Sequence, residues 1–138
     1  MNFSSAAKVL LWYARYRSFV VALIAALVLA GPPRAVLSTP SGTVPLVMSS
    51  WCWNAHCGAP FSSAKKTAAA AHGSTVSVGL GFVPRHVRVA IAGRQVAVVT
   101  RGRIVSWAAA RGGGVTVHAT GPHGWVTYVG RLKVSWKE

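Results

Sequence analysis

The 138-residue chain contains no aspartate, and its one acidic side chain, Glu138, is the last residue. Glycosidases work with a pair of carboxylates, and the Ser-His-Asp triad uses a carboxylate to orient its histidine. Calcium cages and carboxylate-anchored magnesium sites also depend on Asp and Glu. The composition therefore excludes all of these site classes.

Positive charge is abundant by comparison. Fifteen Lys and Arg residues give the chain a formal net charge of +14 at pH 7. A charge of this size attracts polyanions such as nucleic acid, anionic lipid and acidic cell-surface polymers, and it also keeps an exported protein soluble. The sequence alone leaves the binding and the solubilising interpretations open.

Long apolar runs are scarce as well. The longest, residues 19–30, has twelve residues and lies between basic residues and Gly31-Pro32-Pro33. A helix of that length rises about 18 Å, which is short of the ~30 Å hydrocarbon core of a bilayer. We therefore predict that residues 1–30 form an apolar helix that acts as a signal peptide, or as a membrane anchor if it is not cleaved. Either outcome makes the rest of the chain extracytoplasmic, either secreted or held at the membrane by its N-terminus.

The remaining chain divides at about residue 42. Residues 31–42 are rich in Pro, Ser, Thr and Gly, a composition typical of a spacer. Residues 43–138 are predicted to form one small domain. Most of the Lys and Arg residues lie in this part of the chain, so the positive charge is a property of the domain rather than of the leader.

Alternation of apolar and polar residues runs through this domain. Residues 75–82 and 86–91 both show it, which predicts half-buried strands. The dipeptide Gly93-Arg94 predicts a two-residue type II′ turn after the second strand. That turn would pair Ile91 with Val96, Val89 with Val98 and His86 with Arg101.

Further strands are predicted at residues 103–107, 115–120 and 125–136, with Gly130 as a bulge or bend in the last. The alanine-rich segment 63–71 is the one helical candidate, and one short turn is predicted there. About seven short strands at this spacing predict an all-β fold, an antiparallel immunoglobulin-like β-sandwich.

The two cysteines lie in the compact sequence Trp51-Cys52-Trp53-Asn54-Ala55-His56-Cys57-Gly58. Cysteines of an exported chain are oxidised, so Cys52 and Cys57 are predicted to form a disulfide that closes a tight hairpin. The alternative is a metal-binding module with Cys52, His56 and Cys57 as ligands, but no other histidine has helpful spacing for a fourth. We therefore predict neither a metal nor another cofactor.

The hairpin also carries a resemblance. Ser50-Trp51-Cys52-Trp53 with a second Cys a few residues on, followed by a Gly-initiated strand that runs through Pro84 into another strand, resembles a family of small exported Gram-positive-type β domains. Those domains carry a Ser-Tyr-Cys-Trp…Cys hairpin near their start. The likeness covers residues 43–136 and implies export, a disulfide and a β-sandwich, with no catalytic residue. Trp51 stands where Tyr is usual, and Gly58 where an acidic residue often follows.

No catalytic motif is present, although a small secreted hydrolase that uses Ser and His without carboxylates is the enzymatic alternative. A binding function fits the composition better. The predicted hairpin register places basic residues on one face, and we predict that this face binds anionic cell-envelope polymer or lipid headgroups; nucleic acid is a further possible partner. The predicted site residues are His86, Arg88, Arg94, Arg101 and Arg103.

Overall fold

A computed structural model describes residues 31–58 and 66–136 of the chain. These residues form twelve β-strands and contain no helix. The predicted N-terminal helix, residues 1–30, lies outside the described residues. The strands are β1 Val36–Thr39, β2 Gly42–Pro45, β3 Val47–Trp53, β4 His56–Gly58, β5 Thr67–Ala71, β6 Thr75–Gly79, β7 His86–Ile91, β8 Arg94–Val96, β9 Val99–Arg101, β10 Ile104–Ala108, β11 Gly113–Gly121 and β12 Gly124–Ser135.

The strands form two sheets. Sheet A has the order β2-β1-β6-β10-β9, and sheet B has the order β4-β3-β12-β11-β7-β8. All of these neighbours are antiparallel; strand β5 joins sheet B by pairing in parallel with the second half of β12. The prediction of an all-β, largely antiparallel fold is confirmed.

Side chains from both sheets form one apolar core. In sheet A, Val76 and Val78 of β6 are fully buried, while the intervening residues of the strand are not. In sheet B, Val115 and Val117 of β11 are buried in the same alternating way. Because successive side chains of a strand point to opposite faces, each sheet has a core face and an outer face.

The number of strands differs from the predicted seven because several short strands carry little pattern of their own. Strand β1 and the beginning of β2 lie within residues 31–42, the segment that the sequence analysis assigned to a spacer. Leu37 of β1 is fully buried, and its strand pairs with both β2 and β6. The buried hydroxyl of Tyr128 in β12 also donates a hydrogen bond to the carbonyl of Pro33. This segment is therefore part of the folded domain.

The helical prediction for residues 63–71 is wrong from Thr67 onward, since Thr67–Ala71 is strand β5. Ala68 and Ala70 are buried, whereas Thr67, Ala69 and Ala71 are exposed. Alanine favours helices by propensity, but here backbone pairing with β12 and burial of alternate methyl groups decide the conformation. Residues 59–65 lie outside the described part of the chain.

The predicted hairpin exists, but its register is wrong by two residues. The turn residues are Ala92 and Gly93, with φ of 50° and 80°, so the turn precedes Arg94 rather than containing it. Ile91 therefore pairs with Arg94, and Val89 pairs with Val96. Two left-handed residues in succession are the requirement of a type I′ turn. A shift of two residues preserves which side chains share a face.

The chain then changes sheet. After β8 ends at Val96, residues 97–98 connect it to β9, which pairs with β10 in sheet A. The second strand of the predicted hairpin is thus two short strands in different sheets. Residue pairs predicted beyond Val96, including His86 with Arg101, do not form.

The predicted irregularity at Gly130 is also displaced. Pairing between β11 and β12 runs through Gly130 without interruption, whereas the β3–β12 register shifts beside Thr127 and Tyr128, which leaves Ser49 unpaired. Gly130 instead leaves room for the side chain of Leu46, because a Cβ there would lie 2.5 Å from the Cδ2 atom of Leu46. The glycine permits close approach between β12 and the residue before β3.

Candidate functional site

The structure divides the five residues of the predicted basic site between the two sheets. His86 and Arg88 lie on β7 of sheet B, and Arg94 begins β8 in the same sheet. Arg101 ends β9 of sheet A, and Arg103 lies in the turn that follows. The side chains of all five are exposed. The inference that Arg101 shares a face with His86 and Arg88 is wrong, because β9 leaves sheet B.

Strand β11 brings new partners to His86 and Arg88. It pairs with β7 so that Arg88 is directly opposite His118 and His86 is directly opposite Thr120. The flanking residues Val87, Val89, Val117 and Ala119 are half-buried or buried on the core side. The four polar side chains therefore project from the outer face of sheet B.

A groove open to solvent lies over these two paired strands, among their outward side chains. Its lining consists of His86, Val87, Arg88, His118 and Thr120, and its volume is about 400 Å³. A shallower cavity of about 270 Å³ extends from Arg88 and His118 toward Gln95 and Thr116. Paired strands lie about 4.8 Å apart, so ligand groups in the groove can contact both strands at once.

Strand β12 completes this surface on the other side of β11. Thr127 is paired with His118, and its Oγ1 atom lies 2.9 Å from the Nδ1 atom of that histidine. The indole ring of Trp125 lies with its centroid 5.6 Å from the His118 ring. These two contacts hold the imidazole in place between Arg88 and β12.

The charge of His118 responds to this environment. Partial burial and, as a second cause, the positive charge of Arg88 hold the pKa of His118 below its usual value of 6.5. The neutral imidazole is therefore favoured at neutral pH. No carboxylate is present among residues 31–58 and 66–136 to reverse this effect, since the one acidic residue is Glu138.

This surface also carries two basic residues that were not among the predicted site residues. On β12, Arg131 and Lys133 share the outward parity of Trp125 and Thr127, and both are exposed. The signal was present in the sequence, because the buried residues Val126, Tyr128 and Leu132 occupy the alternate positions.

The predicted disulfide is confirmed. Cys52 and Cys57 are bonded and lie directly opposite each other in the β3–β4 hairpin. The turn is formed by Asn54 and Ala55, whose φ angles of 51° and 65° are left-handed. Within the described ranges no group of three potential metal ligands is found. Because Cys52 is also paired with Trp125, the bridge lies on the same outer face of sheet B.

Trp51 and Gly58 of this hairpin are structurally coupled. The indole ring of Trp51 packs against Gly58, its paired residue in the hairpin. A Cβ atom at position 58 would overlap that ring. The Trp51 indole in this orientation therefore leaves no room for a side chain at position 58.

Comparison of the chain with protein families, with characterised proteins and with solved structures finds no match. No helix long and apolar enough to span a membrane occurs in the part of the chain that the structure describes. The disulfide is compatible with an extracytoplasmic location, where thiols are oxidised.

Acidification is expected to destabilise the domain only where histidines titrate. A folded-state pKa below the unfolded-state value, as at His118, stabilises the fold above pH ~6.5, and this contribution is lost as the pH falls through the folded-state pKa. Most acid unfolding is driven by protonation of carboxylates, and Glu138 is the one acidic side chain in the sequence. Calorimetry should show a melting temperature that falls between about pH 7 and pH 5 and then stays level to about pH 2. A further fall of more than about 4 °C, equivalent to about 1 kcal/mol, would contradict this.

Proposed function

We propose that this protein is an extracytoplasmic, non-catalytic binding domain that engages an anionic cell-envelope polymer through the outer face of sheet B. The observation that carries the proposal is the set of cationic and titratable side chains on adjacent strands of this face. None of them has a carboxylate neighbour among the described residues. The set comprises His86, Arg88, His118, Arg131 and Lys133.

The spacing of this set suits a polymer. Alternate residues of a strand are about 6.6 Å apart and neighbouring strands about 4.8 Å apart, so Arg131 and Lys133 present two charges along β12 while Arg88 lies two strands away. Repeating anionic groups of one chain can meet several of these cations together. Each contact displaces counterions, which adds affinity at low salt.

The aromatic content of the surface favours a polymer other than single-stranded nucleic acid. Proteins of that class stack successive bases on several aromatic side chains. Among the described strands of sheet B, Trp125 is the tryptophan on the outer face, whereas Trp53 is buried in the core. A single aromatic side chain can stack on one ring, such as a sugar ring, but it cannot stack on several successive bases.

The groove lining supports a non-catalytic role. It combines two histidines and an arginine with Thr120, and Tyr128, the tyrosine on neighbouring β12, directs its buried hydroxyl to the carbonyl of Pro33. Hydrolases of the Ser-His type need a nucleophile within hydrogen-bond reach of the base. Thr127 supplies a hydroxyl beside the His118 ring, but no carboxylate among the described residues orients that imidazole as a catalytic base.

We infer in addition that the sandwich is immunoglobulin-like in the broad sense. Support comes from the two sheets that share one core, from the crossing of the chain between sheets at residues 97–98, and from the order β3-β12-β11-β7, in which a consecutive hairpin lies between strands distant in sequence. Such connections are typical of Greek-key sandwiches.

Salt titration tests the binding proposal. Dextran sulfate should bind at low salt, and its affinity should fall on the order of 100-fold between about 50 and 200 mM salt if about four or five cations take part. The triple variant R88Q/R131Q/K133Q should bind at least about tenfold more weakly at low salt and should show a flatter salt dependence.

The matched control is R34Q/R101Q/R103Q, which removes the same charge from exposed residues in or beside sheet A. It should retain most of the affinity. Equal losses in both triple variants, or an affinity that ignores salt, would overturn the proposed binding face.

A further inference from the structure

The groove between β7 and β11 has the geometry of a small anion site. Arg88 and His118 are directly opposite each other, as are His86 and Thr120 in the neighbouring row, and all four line the same cavity. Guanidinium, imidazole and hydroxyl groups are the side-chain donors that recognise tetrahedral oxyanions. The Thr120 hydroxyl donates a long hydrogen bond of 3.4 Å to the carbonyl of His86, which it must give up to donate to a ligand. Arg88, His86 and His118 offer donors on two sides of a ligand that lies over the paired strands.

The orientation of His118 suits this role. Its Nδ1 atom is engaged by the Thr127 hydroxyl at 2.9 Å, which leaves Nε2 as the ring nitrogen for a ligand. Trp125 lies beside the ring on the side of β12. An imidazole fixed in this way loses little rotamer freedom when it binds.

We propose that this groove binds one tetrahedral oxyanion group, as in a sulfate ester or a phosphodiester, between Arg88, His118, His86 and Thr120, and that His118 takes up a proton as the group binds. The inference rests on the proposed function, because it names the chemical group of the polymer that this face recognises.

The proton uptake follows from the charges around His118. Without ligand, burial and Arg88 keep the pKa of His118 below 6.5. The facing groups on β7 are Arg88 and His86; on β12, Trp125 and Thr127 are uncharged, while Arg131 lies farther along the strand, opposite Gly114. An anion between Arg88 and His118 favours the imidazolium and raises its pKa.

The direction of the pH dependence is fixed by this linkage. Because the pKa of His118 is higher in the complex than in the free protein, affinity is greatest below the free-state value. It declines as the pH rises through the value in the complex. Sulfate and phosphodiester groups keep a constant charge over this range, so the change in affinity reports the protein.

The first test uses inorganic sulfate and the intact domain. NMR titration of the imidazole signals, with and without sulfate, should show that sulfate raises the pKa of His118. The exposed His56 on strand β4 serves as an internal control for the general ionic effect of sulfate. Absence of a sulfate effect at His118 would overturn the groove as an anion site.

The second test measures polymer affinity at two pH values. Dextran sulfate and a poly(glycerol phosphate) are compared at about pH 5.5 and pH 7.5, and one fully formed charged contact should strengthen binding on the order of tenfold at the lower pH. The more tightly bound polymer identifies sulfate ester or phosphodiester as the preferred source of the group.

Three single variants show which histidine is responsible for the pH dependence of polymer affinity. H118Q should lose most of the pH dependence, whereas H56Q should keep it. If H86Q abolishes the pH dependence and H118Q does not, the assignment to His118 is overturned. Salt-sensitive polymer binding of equal strength at both pH values would overturn this inference and leave the proposed function standing. A sulfate effect at His118 without polymer binding would overturn the proposed function and leave the groove an anion site.

Discussion

Replacing Gly124 by alanine is expected to destabilise the domain by more than about 3 kcal/mol. Gly124 begins β12 with φ of 146°, a conformation that side chains rarely adopt, and it pairs with Trp53 of β3. A Cβ atom there would overlap the carbonyl oxygen of Cys52 and would lie 2.9 Å from its carbonyl carbon. Backbone atoms cannot rotate away as a flexible side chain can, so β3 and β12 would have to separate.

Denaturant unfolding of G124A and of the parent measures this change. The matched control is G114A in β11, where a Cβ meets nothing within 4 Å. Alanine at an unstrained, open position lowers the entropy of the unfolded chain, so G114A should stay within about 0.5 kcal/mol of the parent or be slightly more stable. Equal stability of G124A and G114A would contradict the close approach of the two strands.

Replacing Leu37 by alanine is expected to cost about 2–5 kcal/mol, the range measured for buried leucines. Leu37 is fully buried in β1, within the segment whose composition indicates a spacer. Its strand has β2 on one side and β6 on the other. The lost side chain would leave a cavity under sheet A, and paired strands on both sides of β1 limit how far the site can collapse.

The neighbouring residue provides the control. Val36 lies on the outer face of β1 and is 39% exposed, so V36A should cost less than about 1 kcal/mol. The free energy of unfolding of both variants is measured in urea. The comparison holds if both show the same dependence of that free energy on urea concentration. Small and equal losses would mean that residues 31–42 act as a spacer after all.

The sequence predicted those strands whose apolar alternation is long enough to decide their face. Both ends of each of the strands β7, β11 and β12 lie within two residues of their predicted positions, because alternating valines in β7 and β11 are a local signal. Export chemistry likewise predicted the Cys52–Cys57 bridge, which needs only two cysteines in a short hairpin. The alternation of apolar and polar residues was therefore sufficient to predict an all-β fold.

Other elements depend on contacts that no local pattern contains. Leu37 ends the three-residue apolar run Ala35-Val36-Leu37, which is too short to indicate a buried strand until β6 is placed beside it. Ala92 adopts a left-handed φ although it is not glycine, so the turn moved by one residue and the register by two. Ala68 and Ala70 lie in a strand because their backbone pairs with β12, although alanine favours helices.

The candidate site shows the same division. His86 and Arg88 were predicted because they alternate with valines in one strand. His118 was not, because its relation to Arg88 arises from pairing between strands that are 30 residues apart in sequence. Arg101 was placed wrongly for the complementary reason, since nothing local indicates that the chain changes sheet after Val96.

The pairing of β11 on both sides has a consequence for the thermodynamics of recognition. His118 and Thr120 stand on a strand whose backbone is bonded to β7 along one edge and to β12 along the other. No loop has to become ordered when a ligand arrives, so the receptor contributes little unfavourable conformational entropy to the association. The binding surface on β7 and β11 is therefore preorganised, and its selectivity among anions depends on the fixed distances between its donors.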